Sequence, residues 1–480
     1  MNRPKNPYPW NLNRRQFLGA CATCAAYAYA TAAAPGAMKL VGFEVPADGG
    51  RARVRLVFCH EPADRATWPN IGYDYAGRIK ELAARLEKAC PNIEFLPVTL
   101  QKAEDAQKLL LTDNNDIDGY LVYLVGIWTG VSRAIAFSGR PTILADDLYA
   151  GSGEFLIENA AARRQGLKVV GVASSRFQDV VEALKSFECM KRMRVSRIID
   201  VTDAESLGDT PKTIKGVFGT DIRQVTSAEF NSLYDKADRV QASKWADTWI
   251  KGAAKVIEPT REEIVKAGAM YLAELDLLNN YKAQAITMSC LGLIYAGKVT
   301  AYPCLGFFQL NNDGLVGACE ADLPSTVTML MMNYLTGKPG YISDPVIDTA
   351  KNQIIYAHCL APNKMFGPEG PSNPYHIRSH SENRKGAVVR SLMPLKEMTT
   401  TLDWNPARNE IVMHQGVTVE NVDEDKACRN KLAAEVKGDI NKLLEEWDRF
   451  GWHRVTFYGD HKKAVETTAT LLGIKVTPEA

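Results

Sequence analysis

From residue 51 onward, short runs of β-branched and apolar residues alternate with longer amphipathic runs. "RVRLVFCH" is followed by "DYAGRIKELAARLEKAC", and "IEFLPV" by "AEDAQKLLL". "DGYLVYLVG" and "PTILADD" then continue the series. Strands separated by helices cannot be hairpin partners. Each crossover returns the chain in the same direction, so the pattern demands a parallel sheet with helices on its faces. "GLKVVGVASS" at 166–175 restarts the series, with "VEALKSFECMKRM" as a helix and "VSRIIDVTD" as a strand. "IKGVFGTDIRQVT" reads as a further strand and a turn. Helical stretches follow around 233–255 and 260–280, with "EPTREE" between them as a start signal. After "GKPGYISDP" the texture changes to short β-like runs: "NQIIYAHCL", "GAVVRSLM", "EMTTTLDW" and "EIVMHQGVTVEN". A helix at about 431–449, a strand "HRVTFYG" and a helix "KKAVETTATLLG" close the chain.

The expected fold is therefore α/β: two doubly wound (Rossmann-like) α/β domains over 51–165 and 166–345, then a β-rich C-terminal domain over 346–480. Residues 1–37 stand apart. In "NRRQFLGACATCAAYAYATAAAPGA", Arg14 and Arg15 precede Phe17 and Leu18, an uncharged Ala-rich stretch and small residues around Ala34 to Ala37. This resembles a twin-arginine export signal; the other reading is an Ala-rich helix with a basic start. The signal implies a periplasmic or envelope location, with any cofactor taken up before transport. No later run is long and apolar enough to span a membrane. Formal net charge is +1 with both signs interspersed, which argues against nucleic acid or an anionic membrane as a bulk partner. Cys21 and Cys24 of the ten cysteines fall in the leader; the others form no CxxC pair and read as buried small apolar residues.

The short motifs of nucleotide and serine-hydrolase sites, GxGxxG, the P-loop and GxSxG, are absent, as is HExxH. Histidine placement says more. All but one of the seven lie late in the chain: His358, His376, His380, His414, His453 and His461. Upstream of them, "LVGACEADLPSTVTMLMMNYL" sets Glu320 and Asp322 at the joint between two apolar runs. The first run reads as a buried strand. The second is a helix from Pro324 with Val327, Leu330, Met331, Tyr334 and Leu335 on one face, stopped by Gly337. Asp322 stands where an N-cap is expected. Glu320 has no such explanation. It sits at the carboxyl end of a strand, where open α/β sheets bind ligands.

"PCLGFFQLNNDGLVGACEADLPSTVTMLMMNYLTGKPGYISD" resembles the core motif of the L-fucose/L-arabinose isomerase superfamily, through Cys304, Leu310, Asn312, Asp313, Gly314, Cys319, Glu320 and Asp322. The segments around His358 and His380, and "FGWHRVTFYGDH", are similar to later motifs of the fucose isomerase-like branch. The resemblance implies an aldose–ketose isomerase working through an enediol. It implies a divalent metal, usually Mn²⁺, a small sugar as substrate and a homo-oligomer, trimer or hexamer. By motif, Glu320 and His453 are metal ligands, Glu320 and Asp322 the catalytic carboxylates, and Cys290, Asn312, His358 and His380 pocket residues. One departure stands out. Family members carry a second catalytic carboxylate upstream, where "AITMSCLGLIYAG" offers only Ser289 and Cys290. That leaves open a non-catalytic sugar-binding relative, or a sugar epimerase.

Overall fold

The computed structural model describes residues 50–113 and 116–480; the leader over 1–37 lies outside them. The first sheet holds β1 (Ala52–Cys59), β2 (Ile93–Leu100), β3 (Gly119–Leu124), β4 (Thr142–Asp146) and β5 (Val169–Ala173). Its order is β2-β1-β3-β4-β5, all parallel. Helices cover both faces, so β3 reads GYLVYL and is buried at every position. The strand at 169–173 corrects the sequence reading. It does not open a second α/β unit. Val169–Ala173 pairs residue for residue with Thr142–Asp146 and completes the first sheet. Alternation reveals that a strand exists, not which sheet it joins.

The second sheet holds β6 (Arg197–Val201), β7 (Asp221–Val225), β9 (Ala285–Met288) and β10 (Val316–Cys319). Its order is β10-β9-β6-β7, again parallel. The chain leaves β6 in one direction and returns on its other side at β9, so the order reverses there. Two local expectations change. "IKGVFG" belongs to a helix, Thr210–Phe218, stopped by Gly219 at φ +77°, and only Asp221–Val225 is strand. The helical stretch at 233–255 is two helices, Ser227–Lys236 and Arg239–Gly252. Asp238 divides them by capping the second, accepting from Val240 N at 2.8 Å. The start signal before 260–280 holds as a capping box between Thr260 and Glu263 on helix Arg261–Tyr281.

The C-terminal region is a barrel. β11 (Tyr341–Asp348), β12 (Gln353–His358), β15 (Met398–Asn405), β16 (Glu410–Asn421), β17 (Asn430–Lys437) and β18 (Arg454–Tyr458) are antiparallel neighbours in the order β15-β18-β11-β12-β17-β16. A β15–β16 pairing closes the ring, and β19 (Lys475–Pro478) lies parallel to β16 outside it. β8 (Lys255–Val256), β13 (Tyr375–Arg378) and β14 (Val388–Ser391) make a small separate sheet. The expected helix at 431–449 is another correction. "NKLAAEVK" is β17, paired with β12 and β16, and Gly438 at φ +139° ends it. Helix begins only at Ile440–Glu446, capped by Asp439. The Ala and Lys residues suit a helix locally, but the two open strand edges of the barrel outweigh that preference. Helix Leu323–Thr336 shares one hydrophobic core with strands of the second sheet and the barrel. Among the described residues, no helix is long and apolar enough to cross a membrane.

Candidate active site

Glu320 follows β10 directly, at the carboxyl end of the second sheet. The strand is positioned from its edge. Asn311 accepts from Gly317 N at 3.0 Å and donates to Gly317 O at 2.9 Å, standing in for a missing neighbouring strand. Gly317 has no side chain because Phe307 would lie only 2.7 Å from its Cβ. After β10 the backbone turns through two left-handed residues, Glu320 at φ +67° and Ala321 at φ +55°. Such conformations cost an L-residue roughly 1–2 kcal/mol. Ala321 N fixes the turn by donating to Met288 O at 2.9 Å. Asp322 then caps helix Leu323–Thr336, accepting from Ser325 N and Ser325 Oγ, each at 2.9 Å.

The turn carries the Glu320 carboxylate to one end of the barrel. One oxygen lies 3.5 Å from His358 Nε2, and the other 3.6 Å from His453 Nε2. His358 is the last residue of β12, and His453 immediately precedes β18. β11 lies between those two strands and places Asp344 beside them. Asp344 Oδ1 is 3.3 Å from His453 Nε2 and accepts from Trp452 Nε1 at 2.6 Å. The two imidazoles cross edge-on, centroids 5.5 Å apart. Both are buried, and among the described residues neither Nε2 has a well-formed hydrogen bond; each meets only the carboxylates, at 3.3–3.6 Å. A buried nitrogen without a well-formed bond costs about 1–3 kcal/mol. Two of them facing one carboxylate, with a second carboxylate alongside, form a donor set that fits a divalent cation.

The far nitrogens are engaged. His453 Nδ1 is 2.8 Å from Asp322 Oδ2. Burial alone would lower the His453 pKa, but hydrogen bonding to Asp322 and the nearby Asp344 outweigh it and push it up to about 9. Burial likewise opposes ionisation of Asp322 and Asp344, yet His453 holds both below the usual carboxylate range. His358 is also raised, despite full burial, by Cys359 and Glu320. A cation entering here must displace these histidine protons.

The structure therefore brings together Glu320, His453, Asp322 and His358, the last of these facing the carboxylate directly. Cys290 is buried at the start of the short helix after β9. Asn312 is not brought to the cluster. Its Oδ1 accepts from Asn363 N and Lys364 N and fixes that loop. His380 stacks on Tyr302 with ring centroids 4.5 Å apart, and its Nδ1 is buried without a hydrogen bond. Sequence reasoning missed Asp344, although "GKPGYISD" ends on it; only strand pairing reveals that it faces His453. It also missed Asp200 on β6. Asp200 lines a crevice of about 400 Å³ with Thr202, Ala321 and Asp322. Burial leaves its Oδ1 without a partner and raises its pKa to about 7.

No family model matches the chain. Over 281 residues it is 24% identical to the sulfoquinovose isomerase of Clostridium sp. (strain MSTE9), covering 54% of this chain and 58% of that protein. Over 285 residues it is 22% identical to the sulfoquinovose isomerases of Priestia aryabhattai and Priestia megaterium (strain ATCC 12872 / QMB1551), covering 56% of this chain and 62% of each. The matched region spans about three-fifths of the length of these curated relatives. The similarity is distant, and it runs to sulfoquinovose isomerases in all three cases.

Proposed function

We propose that the chain is a metal-dependent isomerase that interconverts an aldose and a ketose. Glu320, His358 and His453 would hold the divalent cation, with Asp344 beside them; Mn²⁺ is the ion that the family resemblance implies. The observation that carries this reading is the pair of buried Nε2 atoms, each without a well-formed hydrogen bond, on either side of the Glu320 carboxylate. The cation would supply polarisation of the substrate carbonyl. The remaining chemistry belongs to the chain. Asp322 accepts from His453 Nδ1 and thereby turns the Nε2 lone pair toward Glu320, so it acts as a positioning residue. Glu320, aimed by the left-handed turn, takes the proton from C2 and returns it to C1. Asp344, kept ionised by His453 and oriented by Trp452, moves the hydroxyl proton from O2 to O1. An aldose thus becomes a ketose through an enediol with no net change of atoms. Asp344, from the barrel, takes the part of the carboxylate absent at Ser289 and Cys290.

The similarity to sulfoquinovose isomerases supports the reaction class and makes sulfoquinovose the first substrate to try. Export by the twin-arginine route and assembly as a trimer or hexamer remain part of the proposal, resting on the leader sequence and the family resemblance. The deciding experiment incubates Mn²⁺-loaded protein in D₂O with sulfoquinovose and a panel of aldoses. Solvent deuterium appearing in the ketose product, and lost in Glu320→Gln, supports the isomerase. Inversion at C2 without a ketose would identify an epimerase instead. Sugar binding with no exchange at full metal loading would leave only a carbohydrate-binding protein.

A further inference from the structure

On the far side of His358 lies a group of sulfur atoms that the proposed reaction does not use. Cys304, Cys319 and Cys359 are buried, and none is in a disulfide. Cys359 Sγ is 3.7 Å from Cys304 Sγ, 3.8 Å from Cys319 Sγ and 3.4 Å from His358 Nδ1. The donor atoms of Cys319, His358 and Cys359 all lie within 4.8 Å of one another. Three separate elements deliver them: Cys319 ends β10, His358 and Cys359 stand at the end of β12, and Cys304 opens helix Cys304–Asn312.

Apolar packing alone does not account for this arrangement. A histidine whose one nitrogen serves a metal usually donates its other N–H to a carboxylate or a carbonyl. His358 Nδ1 has only the Cys359 sulfur, which is a weak partner. The spacing already suits a shared ion. Two thiolates bound tetrahedrally to one ion at about 2.3 Å stand about 3.8 Å apart. The Cys319–Cys359 separation is 3.8 Å, so an ion could enter without moving either sulfur far. Finally, thiolate and imidazole together select soft cations over Mn²⁺, whereas the Glu320 side of the same imidazole is built of oxygen.

We propose that Cys319, Cys359 and His358 Nδ1 form a second, sulfur-rich site for a thiophilic d¹⁰ cation, Zn²⁺ or Cu⁺, with Cys304 at hand as a fourth ligand. Binding releases the two thiol protons and the Nδ1 proton, and exchanges a weak thiol contact for bonds that fix the imidazole. The argument from the Nδ1 partner rests on the cation proposed at Nε2, whereas the grouping of the three sulfurs does not.

The test titrates reduced, metal-free full-length chain with Co²⁺ as the probe. A thiolate-to-cobalt charge-transfer band in the near ultraviolet is expected, abolished by one equivalent of Zn²⁺. The band should persist in Glu320→Gln and His453→Gln, which disable the oxygen-side site, and vanish in Cys319→Ser and Cys359→Ser. Co²⁺ binding without the band in the parent chain would overturn the proposal, as would a band surviving in the Cys319→Ser/Cys359→Ser double variant. Should the serine variants fail to fold, alkylation of the parent chain in mild denaturant gives the answer. Zn²⁺ should protect Cys319 and Cys359 from modification, read by mass spectrometry. Equal labelling with and without Zn²⁺ would overturn the site.

Discussion

Glu320 and Asp322 are one residue apart, yet their surroundings divide the work between them. Asp322 has both oxygens committed, to Ser325 and to His453 Nδ1, and so acts through others. Asp322→Asn should keep the bond from Ser325 N but lose the ionised acceptor for His453. Calorimetric titration with Mn²⁺ should show affinity falling about 10- to 100-fold, with stability lower by only about 1 kcal/mol. Asp200 allows a pH test. Its pKa in the fold is about 7, against about 3.9 for an unfolded aspartate. The raised value means that the protonated form is favoured in the fold. Its contribution to stability is present below pH 4 and is lost as pH rises through 7. Asp200→Asn cannot ionise. Its stability advantage over the parent should be small at pH 4 and grow toward about 4 kcal/mol by pH 8, as denaturant unfolding at the two pH values would show. An advantage independent of pH would mean that Asp200 ionises freely in the fold.

At the scale of elements, the decisive piece is the turn after β10. The cap at Asp322, the helix that follows and the stop at Gly337 were all legible, because each rests on chemistry within a few residues. The left-handed pair Glu320–Ala321 was not, since neither is a glycine and no turn motif announces it. Substitution at Ala321 tests whether this turn aims the carboxylate. Ala321→Gly accepts φ +55° freely and should hold stability within about 1 kcal/mol, with metal binding intact. Ala321→Val places a β-branched side chain there and should lose about 2 kcal/mol and weaken metal binding, measured on the same samples. Barrel strand β17 shows the opposite failure. Its sequence suits a helix, and pairing with β12 and β16 decides otherwise.

At the scale of the whole molecule, the barrel is held to the chain's last residues by a buried polar network. Glu479 accepts from Arg454 Nη2 at 2.9 Å and lies 2.7 Å from His414 Nδ1, while His414 Nε2 meets Tyr356 OH at 2.6 Å. Arg454 is wholly buried and adjoins His453, so the network anchors the strand that brings His453 to Glu320. Glu479→Ala would strand a buried guanidinium and should cost about 3–5 kcal/mol. Tryptophan fluorescence during chemical unfolding would show the midpoint fall, and Mn²⁺ affinity should fall with it. Unchanged metal binding in a destabilised Glu479→Ala would separate the anchor from the site.

The sequence by itself determined the α/β alternation, the β-rich end, the cap at Asp322 and the place of Glu320 at the carboxyl end of a strand. Those features depend on periodicity and on neighbours close along the chain. It did not determine that β5 belongs to the first sheet, that His358 faces Glu320, or that Asp344 stands beside His453. Nor did it determine that Asn312 fixes the loop at Asn363 and Lys364, or that His380 stacks on Tyr302. These follow from strand order and from the packing of a barrel against a parallel sheet, which join residues from a few tens to more than a hundred positions apart. Only the tertiary structure decides such contacts, because a carboxylate and an imidazole carry no local sign of which distant partner will face them.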